Sequence, residues 1–280
     1  MKKITRPFLA LTMACGIGLA GMPAADAAPT FKDFDATINM GNCSGSIVRF
    51  PGASDQDRAL VLSNGHCRKA GMPEPGTFIL DEPVTQTVSI LAGDTGERVA
   101  RMDLDRIVYA TMTGNDVSLY RSTKTYAQLK RSGINARPIS TAHPADGTAI
   151  KIPSGYWRKN YTCKINGFVP TLREAGYEWT DAVRYSSSGC DTKPGTSGSP
   201  VVDARTGTVI AINNTMNEDG EQCTMNNPCE VDENGEITVR HRQGYGTQTY
   251  TVTTCFDRGR FDLNMEGCQL FGAGEGVRRS

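Results

Sequence analysis

The chain has 280 residues, with 30 Lys and Arg against 30 Asp and Glu, so its formal net charge is zero. That balance argues against a nucleic-acid partner and against a polybasic membrane-surface patch. At 38% hydrophobic the chain is globular, and 30 Gly with 14 Pro point to many turns rather than long helices. Its length suits two small β domains sharing an interface better than one compact core.

The first residues read as an export signal. Lys2, Lys3 and Arg6 precede a mostly apolar stretch over 8–20, and Ala25-Asp26-Ala27 offers an A-x-A cleavage site, which places the signal peptide at residues 1–27. A secreted protein is expected. No later stretch approaches the ~20 apolar residues needed to span a bilayer, so no membrane association is expected after cleavage. Cleavage leaves eight cysteines: Cys43, Cys67, Cys163, Cys190, Cys223, Cys229, Cys255 and Cys268. An even number in an exported chain favours disulfides over metal thiolates, and no C-x2-C pair occurs. A metal site is not expected.

Beyond the signal, short apolar runs recur between turn-forming residues, the pattern of an all-β sandwich or barrel. Strands are expected over 46–50, 59–63, 77–80, 87–91, 106–110 and 117–120. The best helix signal, 126–132 stopped by Gly133, falls where a linker between halves belongs. Strands resume over 149–152, 161–165, 182–185, 201–202 and 208–213, and 230–239 reads as a hairpin turning at Asn234-Gly235. The acidic residues around Asp219 and Asp232 lack the ordered alternation of a calcium loop and read as solvated turns.

Three segments carry chemistry. In Leu62-Ser63-Asn64-Gly65-His66-Cys67 a strand end runs into His and Cys, and upstream lies the small-residue strand Cys43-Ser44-Gly45-Ser46-Ile47-Val48. A Cys43–Cys67 disulfide would fix the backbone one residue from the imidazole, and a general base needs that fixity. In Gly114-Asn115-Asp116-Val117-Ser118-Leu119-Tyr120 an Asp opens an apolar strand, and a carboxylate buried there needs a partner such as an imidazolium. In Pro194-Gly195-Thr196-Ser197-Gly198-Ser199-Pro200, small residues let the chain turn tightly and expose the Ser197 hydroxyl. They also let the N–H groups of Gly195 and Ser197 converge where an oxyanion would form. Each segment alone has an ordinary explanation: a surface His, a turn Asp, a Gly/Ser turn. Their order His, Asp, Ser is one of the known triad orders.

These stretches make the chain resemble the chymotrypsin-like (trypsin-fold) serine peptidases over roughly residues 37–255, and Gly195 to Pro200 is more similar to the V8-like glutamyl-endopeptidase branch than to animal trypsins. The resemblance implies two six-stranded antiparallel β-barrels with the active site in the cleft between them. It divides the chain into 28–125 with His66 and Asp116, 126–255 with Ser197, and a C-terminal extension 256–280 that has no counterpart in the family. It implies a monomeric endopeptidase that forms an acyl-enzyme, needs no cofactor, acts on proteins or peptides and admits a proteinaceous inhibitor as a partner. Cys190 with Cys223 would match the family's bridge across the specificity pocket, Cys255 with Cys268 would close a C-terminal loop, and Cys163 would be left for Cys229. Substrate-binding positions fall on Asp191, Asn213, Asn214 and Thr215. Counting back from Ser197 puts Asp191 where a pocket Asp selects Arg or Lys, whereas aligning on Cys190 moves it off the pocket floor.

The chain also departs from the family. Animal trypsins are activated when a new N-terminal amine pairs with an Asp before the nucleophile, and here Thr196 stands there. Folding directly into an active form is expected. The rival readings are a catalytically inactive secreted β-barrel acting as a protein-binding module, and an esterase using the same triad.

Overall fold

The computed structural model describes residues 30–186 and 188–274; the expected signal peptide lies outside them, as do Arg278 and Arg279 of the tail. Strands dominate. In chain order the first seven are β1 (Thr37–Asn39), β2 (Ser44–Arg49), β3 (Arg58–Ser63), β4 (Phe78–Ala92), β5 (Glu97–Thr111), β6 (Val117–Thr125) and β7 (Arg137–Pro138). They form one sheet in the order β1-β4-β5-β6-β3-β2-β7, and β1 also pairs with β2. Six of them thus close into a ring, which leaves no long open edge for another chain to pair with; β7 adds in parallel to β2.

The second set is β8 (Ala149–Ser154), β9 (Lys159–Glu174), β10 (Tyr177–Tyr185), β11 (Pro200–Asp203), β12 (Val209–Met216), β13 (Cys229–Val231), β14 (Ile237–Val239) and β15 (Gly244–Gln248). Its order is β10-β15-β12-β11-β8-β9-β13-β14, and β10 pairs with β9, so again six strands close a ring, with the β13–β14 hairpin hung on β9. The architecture is the double barrel implied by the resemblance.

Side-chain alternation explains the rings. Along β4, Gln86, Val88 and Ile90 are buried while Thr85 and Thr87 are exposed, the period of two that a half-buried strand requires. Residues 77–80 and 87–91, expected as separate strands, belong to one strand; the polar run around Pro83 hides the continuity, and the register with β5 slips between Pro83 and Gln86. The linker helix α1 (Tyr126–Arg131) forms as expected. Thr125 and Gln128 make a reciprocal capping box, and Gly133 at φ +75° ends it.

The first ring is filled by residues such as Ile38, Ile47, Val61 and Ile107, the second by Ile150, Ile152, Val183 and Val201. A further cluster joins the rings: Phe50, Leu62 and Tyr109 from the first meet Val209 and Ile212 from the second. The C-terminal segment is part of that cluster. After α2 (Tyr250–Thr253), the short pair β16 (Phe256–Asp257) and β17 (Arg260–Phe261) packs Phe256 flat on Phe50, centroids 3.6 Å apart, and Tyr109 donates to the Phe271 carbonyl at 2.8 Å. The tail is a structural cover over the junction of the barrels.

Among the described residues four disulfides form. Cys43–Cys67 and Cys255–Cys268 pair as expected, with Cα separations of 5.8 and 4.5 Å. The other two expected pairs are corrected: Cys163 bonds Cys190 and Cys223 bonds Cys229. The reason is local. Gly189 lies so close over the Thr162 carbonyl that no Cβ would fit, which sets Cys190 against β9 at a Cα distance of 5.5 Å from Cys163. Cys223 and Cys229 close a short loop at the start of β13, with Cα atoms 5.0 Å apart.

Candidate active site

His66 lies in a 3-10 turn, Gly65–Cys67, directly after β3. Gly65 makes the placement possible, since a Cβ there would collide with the Thr111 carbonyl at the end of β5. Asp116, at the mouth of β6, is fully buried. Its Oδ2 lies 2.5 Å from His66 Nδ1 and its Oδ1 accepts the His66 backbone N–H at 3.1 Å. Burial pulls the His66 pKa down, but the charge and hydrogen bond of Asp116, helped by Glu174, outweigh it and raise the imidazole above its ordinary 6.5.

Ser197 comes from the turn before β11, in the second ring. Gly195 and Gly198 have φ of +89° and +80°, a region open to glycine, and a Cβ on Gly198 would strike the Ser44 carbonyl and Ser63 Oγ. The turn is braced from within: Thr196 N–H donates to the Lys193 carbonyl at 3.0 Å and Lys193 N–H donates to Thr196 Oγ1 at 3.1 Å. It is also tied to the first barrel, because Ser44 N–H donates to the Ser197 carbonyl at 2.8 Å. Among the described residues, the Gly195 and Ser197 N–H groups donate to no protein acceptor, while Gly198 N–H donates to Asn213 O. Ser197 Oγ donates to the Asn214 carbonyl at 3.2 Å rather than to His66; catalytic hydrogen bonds in free enzymes are often unformed until substrate arrives.

His66 and Ser197 line one cavity of about 280 Å³ between the barrels, together with Gly195, Thr192, Asn213, Asn214, Thr215 and Met216. Asn213, Asn214 and Thr215 therefore lie beside His66 and Ser197. Asp191 does not. It is exposed, paired with Arg242 at 3.0 Å, and belongs to a shallow outer recess. The anchoring of Cys190 to β9 turns the next side chain outward, and Thr192, buried, takes the inward place.

Two residues passed over in the sequence matter here. Asn64 is fully buried and spans the site: Nδ2 donates to the Asp116 carbonyl at 2.8 Å and Oδ1 accepts from Gly198 N–H at 2.6 Å. Its place immediately before Gly65-His66 was the only signal. Glu174, at the end of β9, lines the cavity although it is distant in sequence from every motif. Among the described residues, the single grouping of metal-ligand types is Cys43, His66 and Cys67, and both of its sulfurs are tied in a disulfide. Among those residues no helix is long and apolar enough to cross a membrane.

Two closed six-stranded β rings, with His66 and Ser197 lining one cavity between them and Asp116 bonded to His66, make a double-barrel protein. Residues 43–212 match the Trypsin-like peptidase domain, and the chain belongs to that family. A search of curated proteins finds no match. Among solved structures it is similar to the MamO protease domain from Magnetospirillum magneticum, at 13% identity and a TM-score of 0.48 over 81% of this chain and 98% of that one. It is also similar to the Nocardiopsis protease NAPase, at 15% identity and a TM-score of 0.42 over 78% and 93%. A thermostable serine protease, AL20, from an extremophilic microorganism matches at 12% identity and a TM-score of 0.44 over 78% and 91%. By family the chain is a trypsin-like peptidase, and the four disulfides among its described residues suit an extracellular or periplasmic compartment.

Proposed function

We propose that the chain is a secreted serine endopeptidase using His66, Asp116 and Ser197 through an acyl-enzyme intermediate. The observation that carries this reading is the His66 Nδ1 to Asp116 Oδ2 contact of 2.5 Å, beside a cavity that His66 shares with Ser197. With Asp116 holding the Nδ1 proton, Nε2 carries the lone pair needed to take the Ser197 hydroxyl proton as Oγ attacks the scissile carbonyl. The carbonyl oxygen becomes an oxyanion, for which the unengaged N–H groups of Gly195 and Ser197 are the donors. The imidazolium then protonates the leaving amine, and water, deprotonated by the same imidazole, releases the acid and restores Ser197.

The Lys193–Thr196 bracing supports a nucleophile turn that needs no activation bridge. The mature protein should be active as exported, without a second cleavage. The test is a fluorophosphonate probe on the purified mature protein, with the labelled site located by mass spectrometry. Label on Ser197 that is lost in His66→Ala is the expected result. A folded protein that takes no label would overturn the proposal and leave the binding-module reading.

A further inference from the structure

Resting on that reading, a further role falls to a side chain outside the triad. The two oxyanion donors, Gly195 N–H and Ser197 N–H, belong to peptide planes held by different means. The carbonyl of the Thr196–Ser197 peptide accepts Ser199 N–H at 3.0 Å, so that plane is fixed within the turn. The Pro194–Gly195 plane has no such backbone bond. Among the described residues its carbonyl accepts from one group, the indole N–H of Trp157, at 2.8 Å.

That plane is also the one most free to turn. The Pro194 ring fixes its own φ, so the plane rotates about Pro194 ψ and Gly195 φ. Gly195, at φ +89° and without a Cβ, resists that rotation least. In a trans peptide the C=O and N–H point opposite ways, so a carbonyl held against Trp157 turns the Gly195 N–H away from that ring. Trp157 is itself anchored, in the turn that joins β8 to β9. There Gly155 lies so close over the Ile38 carbonyl that no Cβ would fit, Tyr156 N–H donates to Ser44 Oγ at 3.1 Å and Trp157 N–H donates to Ser154 Oγ at 3.2 Å. Lys193 Nζ lies 3.5 Å from the centre of the indole, and the Tyr156 ring meets the indole edge-on at 4.9 Å while covering Gly195.

We propose that Trp157 is a positioning residue for catalysis: its indole N–H holds the Pro194–Gly195 peptide in the orientation that turns Gly195 N–H to the developing oxyanion. Without that bond the plane turns over in part of the molecules. In those, a carbonyl oxygen replaces the N–H at the oxyanion position, where it repels the charge that forms. The substrate carbonyl carries little charge before attack, so the loss falls on the transition state and not on binding.

The test is Trp157→Phe, which keeps an aromatic ring beside Lys193 and deletes the N–H. Trp157 is 42% exposed, so the exchange opens no core cavity. On a peptide substrate kcat should fall by about three- to tenfold, the factor that one hydrogen bond of ordinary net strength controls, with KM within about twofold. That is less than the loss of about 10²–10³ on removing an oxyanion donor outright. A peptide aldehyde, isotopically labelled at its carbonyl carbon, separates orientation from packing. Its adduct with Ser197 bears a hydroxyl whose ionisation the oxyanion donors favour, so its carbon NMR signal should titrate at higher pH in the variant than in wild type. The acid limb of kcat/KM, set by His66, should stay in place. A fall in kcat of less than about threefold overturns the inference, as does an unshifted adduct titration or a displaced acid limb, either of which would trace the loss to packing or to His66. If Trp157→Phe fails to fold, β-(3-benzothienyl)alanine at position 157, which puts sulfur in place of the indole N–H, is read by the same measurements. Wild-type protein that takes no label on Ser197 overturns the proposed function and this role with it. Wild type that labels and turns over, beside an unimpaired variant, overturns the role of Trp157 alone.

Discussion

Replacing Asp116 by Asn tests the centre of the site with a change of one atom. Asp116 is fully buried, and its two oxygens accept from His66 Nδ1 at 2.5 Å and His66 N at 3.1 Å. The backbone bond is the same in every state, whereas the Nδ1 bond strengthens as the imidazolium forms. An Asn oriented to keep the backbone bond turns its NH2 toward Nδ1, which drives the imidazole proton onto Nε2, where the lone pair is needed. Losing one partner of a buried charge pair costs about 3–5 kcal/mol. At 1.36 kcal/mol per decade that corresponds to a loss of about 10²–10⁴ in kcat. The assay is kcat on a peptide and on an ester substrate near neutral and alkaline pH, with circular dichroism to confirm the fold. Activity of folded Asp116→Asn within about threefold of wild type would refute the assignment, because then the imidazole would not depend on this carboxylate.

Further consequences concern pH and backbone. His66 is raised above 6.5, so the His66–Asp116 pair contributes stability that is fully present below about 6.5 and fades as pH rises through the higher folded-state value. Activity needs neutral His66 and should rise across that same interval; paired denaturant titrations of wild type and His66→Ala should therefore converge on the alkaline side while kcat/KM climbs. Gly198→Ala should destabilise by about 2–4 kcal/mol, since its φ of +80° disfavours a side chain and the Cβ would meet Ser44 O and Ser63 Oγ. Urea unfolding midpoints check that figure.

The fold was legible because closed antiparallel rings demand alternating strands and frequent turns, and both are written locally in the chain. His66, Asp116 and Ser197 stood out as candidates because each has a special neighbourhood: a disulfide-anchored turn, a strand mouth, a Gly-flanked turn. The residues that line the cavity obey no local rule. Asp191 and Thr192 are adjacent, and which one faces the cavity depends on Cys190 bonding Cys163 rather than Cys223. Cysteine spacing does not encode that choice, since six cysteines allow 15 pairings. Glu174 was invisible for a related reason. It reaches the site only because the β9–β10 hairpin runs on past the ring to set Glu174 against Thr215 of β12. β4, read as two strands, failed at Pro83 through a bulge that a ribbon of two long strands tolerates and a period-two pattern does not reveal.

Asn64 shows how the three distant segments that carry the proposed triad are tied together. Its amide donates to the carbonyl of Asp116 and accepts from Gly198 N–H, one residue after the nucleophile, while its own carbonyl accepts from Ser118 Oγ at 2.6 Å. One residue therefore links the segments carrying His66, Asp116 and Ser197. Asn64→Ala removes both amide bonds but does not orphan them equally. Gly198 N–H keeps its bond to Asn213 O at 2.9 Å, whereas the buried Asp116 carbonyl loses the donor that Asn64 supplied. One orphaned buried group costs about 1–3 kcal/mol, so the variant should fold with a stability reduced by that amount. Its catalytic loss should be larger than this cost alone suggests, because small displacements of reacting groups have steep effects on rate. A fall in kcat of about 10-fold or more, with KM little changed, is expected from stopped-assay kinetics on folded protein. Unaltered kcat in a protein destabilised as foreseen would make Asn64 a packing residue only, and would move the burden of alignment to the Cys43–Cys67 bridge and the Ser44 N–H bond to Ser197.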